Sequence, residues 1–60
     1  MRFPVVGLNA RAASWIVRLM LPVAEIIVLH ENSFYAEDRR AYRVKLFHDD
    51  EGVVTRVHQG

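Results

Sequence analysis

Ala41-Tyr42-Arg43-Val44-Lys45-Leu46-Phe47-His48, Asp49-Asp50-Glu51-Gly52 and Val53-Val54-Thr55-Arg56-Val57-His58 follow one another without a break near the end of this 60-residue chain. The two outer runs are rich in β-branched and aromatic residues with period-two alternation. The four residues between them are turn formers, and Gly52 can supply a positive φ. The pattern predicts a β-hairpin with arms 41–48 and 53–58. Pairing His48 with Val53 sets Tyr42, Val44 and Leu46 on one face with Val53, Thr55 and Val57. The opposite face then carries Phe47 across from Val54, Lys45 across from Arg56, and Arg43 across from His58. A slip of one residue would move Arg56 and His58 among the apolar side chains.

Upstream of the hairpin, Val23-Ala24-Glu25-Ile26-Ile27-Val28-Leu29-His30 is almost continuously apolar. It reads as a strand, 23–30, buried on both faces. Before it, Asn9 is a candidate N-cap for a helix over 9–21, free of glycine, and Pro22 supplies the stop. The alternative is a helix that kinks at Pro22 and runs on, because Glu25 lies on the same stripe as Arg11 and Arg18. Phe3 to Leu8 is a short apolar run that could form an edge strand, with Pro4 tolerated near its start. Glu31 to Arg39 reads as a polar connection, with Phe34 and Tyr35 folded back on the core.

These elements compose an α+β fold in a single small domain, 1–60: one apolar helix on a small, mainly antiparallel sheet that includes the C-terminal hairpin. At this length, the free energy of burial and the entropy of ordering nearly cancel, so small chains call on staples, metals or partners. Cysteine is absent, which excludes disulfides, thiolate zinc sites and thiol nucleophiles together. A partner is the remaining source of stability.

Net charge is +1, so no global field points to nucleic acid or an anionic membrane. Residues 1–30 carry Arg2, Arg11, Arg18 and Glu25 as their only Arg, Lys, Asp or Glu, and the charges otherwise gather in the second half. On the helix, Trp15, Ile16, Leu19 and Met20 exceed what one small sheet covers and resemble the core of an interface. They are the first candidate for partner contact, with a second copy or with a larger protein. Their alternative role is the domain's own core.

Arg43, Lys45, Phe47, Arg56 and His58 form the second candidate, a basic strand face with an aromatic ring suited to phosphates and bases of nucleic acid. The competing reading has Glu31, Glu37 and Asp38 neutralising that face, and it is preferred. A single membrane span over 12–29 ranks third, since Arg18 and Glu25 offset the gain from its apolar residues.

No glycine-rich phosphate loop and no nucleophile beside a base is present, so no catalytic residue is assigned and the chain is not read as an enzyme. Ser14 and Ser33 have simpler places in a helix and a connection. His30, His48 and His58 with Asp49, Asp50 and Glu51 lack the spacing of a metal site, so neither metal nor cofactor is expected. Met1-Arg2-Phe3-Pro4 lacks the layout of a secretory signal, so cytoplasmic residence is expected. Val54-Thr55-Arg56-Val57 is similar to the last strand of small phage inhibitors of bacterial RNA polymerase. That likeness spans four residues and carries over no site. The reading is therefore a small interaction or regulatory protein, a homodimer or a subunit bound to a larger partner.

Overall fold

The structure is a computed structural model that describes residues 3–33 and 42–59. Helix α1 spans Ala10–Met20, and strands β1, β2 and β3 span Glu25–His30, Arg43–His48 and Val54–Gln59. The expected α+β class is what forms.

Helix α1 begins where Asn9 leaves the helical region at φ −66° and ψ 154°, and its side-chain oxygen accepts from the Ala12 N–H at 2.8 Å. That bond satisfies one of the orphan donors of the first turn. At the other end the Leu21 N–H closes the last bond, to the Val17 carbonyl at 2.8 Å. Pro22 then has no N–H to continue the ladder. Arg18 reaches past the end and donates to the carbonyls of Pro22 and Ala24 at 3.2 and 2.9 Å, placing a cation at the negative helix terminus. The continuation through a kink does not occur, and Glu25 opens β1 instead.

The sheet order is β1-β2-β3, in which β1 runs parallel to β2 and β3 antiparallel to it. Parallel neighbours need a crossover of about a dozen residues. Residues 31–42 provide it, so the connection is long enough for the pairing. The central strand is not the one that hydrophobicity selects. The apolar 23–30 run reads as buried on both faces, yet β1 is an edge strand with Val28 45 % exposed. The charged strand β2 is central and buried along Arg43–Phe47. Hydrophobic continuity reports low polarity; it does not report the number of neighbours a strand acquires.

Ala13 and Val17 of the helix share one core with Val44, Leu46 and Val54 of the hairpin, and Phe3, Val5 and Ala24 complete it. Leu46, Val5, Val17 and Val44 are fully buried. Phe3 to Leu8 is not the expected edge strand. Its N–H groups at Val5 and Leu8 bond back to the Phe3 and Val5 carbonyls, and Gly7 takes φ 96°, so the backbone turns on itself. The segment still meets the hairpin: Gly7 donates to the Val54 carbonyl and Val54 to that of Leu8, each at 2.8 Å, beside a bridge between Asn9 and Val53.

The hairpin forms with a register two residues from the expected one. Lys45 pairs with His58, Leu46 with Val57, and Phe47 with Arg56, and an irregularity at Phe47/His48 brings His48 opposite Val54. The cause lies in the turn. The Asp49 N–H bonds to the Val53 carbonyl at 2.9 Å, and the Asp49 carboxylate accepts from the Glu51 and Val53 N–H groups at 2.8 and 3.0 Å. Asp49 and Val53 therefore close the hairpin, with Gly52 at φ 82° supplying the left-handed residue of the loop. The bulge restores the apolar face and puts Val54 in the core while Thr55 stays exposed.

Candidate functional site

The two ends of the β1–β2 connection are tied into the sheet, and that is the most constructed feature of the surface. At its start the Glu31 N–H donates to the His48 carbonyl at 2.6 Å and the Ser33 N–H to the His30 carbonyl at 2.9 Å. His30 Nδ1 accepts from the Asn32 N–H at 3.1 Å, so its Nε2 carries the hydrogen and donates to Asp50 at 2.5 Å. The His48 ring stands edge-on to His30 at 5.7 Å, with its Nδ1 donating to the Asp49 carbonyl at 2.8 Å. At the far end the Tyr42 carbonyl accepts from the Glu25 N–H at 2.9 Å. Both roots are thus held by strands that share the central β2. The hairpin turn contributes Asp50 to the first root. Its neighbour Asp49 has a carboxyl held below its ordinary range, chiefly by the Val53 N–H, with help from the Glu51 N–H and the nearby His48 and His30 rings and against the opposing effect of burial.

Beneath the connection's second root lies the sheet face turned away from α1. Glu25 faces Arg43 across the parallel pair, with Oε1 3.2 Å from Nε. Arg43, Lys45 and Phe47 are 8, 4 and 7 % exposed, and each of the two cations has an interaction partner. Of the five residues expected to meet phosphates, Arg56 and His58 are exposed. Lys45 faces His58 and not Arg56, and Phe47 faces Arg56, so the expected pairing of Lys45 with Arg56 does not form. The β2 part of that basic face, Arg43, Lys45 and Phe47, is thus buried, and its β3 part, Arg56 and His58, reaches solvent. Its neutralising partner within the described residues is Glu25, whereas Glu37 and Asp38 lie outside them, as do Phe34, Tyr35 and Ala41.

On the other side of the molecule, Trp15 and Leu19 are 68 and 75 % exposed, Met20 is also exposed, and Ile16 is half-buried against the core. Three of the four residues read as a contact surface are therefore on the surface, and Ile16 divides its area between surface and core. A groove of about 360 Å³ runs beside them, lined by Ser14, Trp15, Arg18, Ile26 and Val28. Among the described residues no cluster of acidic and histidine side chains is arranged to hold a metal ion, and no helix is long and apolar enough to cross a membrane.

Sequence reading missed the tie between His30 and Asp50 and the pairing of Glu25 with Arg43. A signal for both was present: Ile26-Ile27-Val28-Leu29-His30 and Val44-Lys45-Leu46-Phe47-His48 run in step, and each ends in histidine. A constant offset between two such runs is what parallel pairing requires.

A family model described as the potato inhibitor I family matches residues 4–57, from the first turn through most of β3. No curated protein matches the chain.

Proposed function

The chain belongs to the potato inhibitor I family, and we propose that it is a protease inhibitor that acts by binding a larger protein, the protease, without turnover of its own. The family match over residues 4–57 carries this reading. The geometry supports a particular contact region: the end of the sheet from which residues 31–42 depart and to which they return. A segment tied at both ends loses less entropy on binding than a free one, so more of its contact energy appears as affinity. The ties at Glu31, Asn32 and Ser33, with the Glu25–Tyr42 bond at the return, supply that restraint.

The experiment is titration of purified protein against a panel of serine, cysteine, aspartic and metallo-endopeptidases. Stoichiometric, reversible inhibition of at least one class is expected. Replacing residues 34–41 with a glycine-serine segment of equal length should abolish inhibition while the circular dichroism of the fold persists. No inhibition across the panel, or inhibition that survives the replacement, overturns the reading.

A further inference from the structure

The outer edge of β1 has open hydrogen-bonding groups at its middle and occupied carbonyls at both ends. Glu25 and Glu31 donate their N–H groups to the Tyr42 and His48 carbonyls, so odd-numbered β1 residues bond to β2. In a parallel pair the even-numbered residues then turn both N–H and C=O outward. Two of the outward carbonyls are already used, that of Ala24 by Arg18 and that of His30 by the Ser33 N–H. Among the described residues, this leaves both backbone groups of Ile26 and Val28, whose side chains lie on the α1 face beside the exposed Trp15, and the N–H of His30.

We propose that two copies of this chain pair antiparallel through this edge, about a two-fold axis at Ile27. Ile26 then exchanges both backbone hydrogen bonds with Val28 of the second copy, and the reverse, so all four groups of these two residues are used on each copy. The result is one continuous six-stranded sheet with an isologous joint. Several features select a second copy. The two residues with both groups open flank a single residue, as a two-fold axis demands. The register sets Glu25 opposite Leu29 and Ile27 opposite itself, so no like charges meet on that face. Centring on Val28 instead would oppose Glu25 to Glu31 and need the occupied His30 carbonyl. At the end of the joint the register brings Glu31 of the second copy opposite Val23, next to the Ala24 carbonyl that Arg18 holds.

The area suffices. Trp15 offers on the order of 150 Å². With Leu19, Ile26, Val28 and the edge backbone, each copy buries roughly 500 Å², about 1,000 Å² in all, which reaches the lower bound of specific interfaces. This joint lies on the helix side and edge of the sheet, and it does not depend on the protease reading.

Sedimentation equilibrium over a hundredfold range of concentration tests it. The unaltered chain should rise from monomer to dimer mass. Val28→Lys places a charge at the joint on a side chain that already reaches solvent, and should stay monomeric throughout. Val28→Pro removes an outward N–H and no bond to β2, and should weaken the dimer at least tenfold. Trp15→Ser, at an exposed position, should weaken it too and serves if a β1 variant fails to fold. A monomer at every concentration, or a Val28→Lys variant that dimerises like the parent, overturns the proposal. So does loss of protease binding in monomeric Val28→Lys, because the edge would then belong to that contact.

Discussion

The guanidinium of Arg56 lies 4.1 Å from the centre of the Phe47 ring. The two residues are directly opposed in the β2–β3 ladder, so this contact exists in one hairpin register and is lost in its neighbours. It places a charge over an aromatic face at the solvent side of a buried ring. Arg56→Gln keeps much of the stem and removes the cation. Urea denaturation should show a loss of about 0.5–1 kcal/mol, with the denaturant slope unchanged.

Leu46 is fully buried on the central strand, between α1 and the neighbouring strands. Leu46→Ala deletes apolar contact and leaves a cavity that the sheet cannot close without moving its backbone. The expected cost is about 2–5 kcal/mol, a large share of what a domain this small possesses, and thermal melting should show it as a much lower Tm.

Asn9 caps α1 through the Ala12 N–H and also bridges Val53 with its backbone. Asn9→Ala removes the first and leaves the second. Stability should fall by about 1 kcal/mol, whereas Asn9→Asp should retain the bond and add a favourable charge at the helix start. Far-ultraviolet dichroism during denaturant titration distinguishes the two.

Asp49 holds the hairpin turn through hydrogen bonds to its carboxylate, which lowers its pKa in the folded state. A depressed carboxyl contributes stability above its unfolded pKa of about 3.9, and this contribution is lost as pH falls through the lower folded value. Denaturation midpoints measured from neutral pH down through the acid range should therefore decline more steeply for the parent chain than for Asp49→Asn. Equal slopes would show that the turn does not depend on this ionisation.

Much of this architecture is legible in residue order. Asn9 marks the helix start and Pro22 its end through local chemistry, and both act as read. The hairpin is visible in Asp49-Asp50-Glu51-Gly52 between two β-rich runs. Its register is not, because the Asp49 side chain moves the closing pair by one residue and the bulge at Phe47/His48 by one more, to a ladder that alternation alone cannot distinguish from the expected one. Shifts of two preserve which face is apolar, so hydrophobic pattern gives no penalty for the error. Trp15 and Leu19 read as a contact surface on α1 and are exposed, whereas Arg43, Lys45 and Phe47 read as surface and are buried.

Residue order alone dictates the local content: a capped helix, an apolar strand, a hairpin, and the absence of cysteine chemistry. These follow from propensity, capping and turn geometry, which act over a few residues. Folding in three dimensions settled the rest. It set β2 between its two neighbours, so Arg43 and Lys45 became buried and the apolar β1 became an edge. It also brought Asp50 to His30 across twenty residues of chain, tying down the root of the connection. Strand order depends on which long-range pairings form together, and no window of neighbouring residues contains that information.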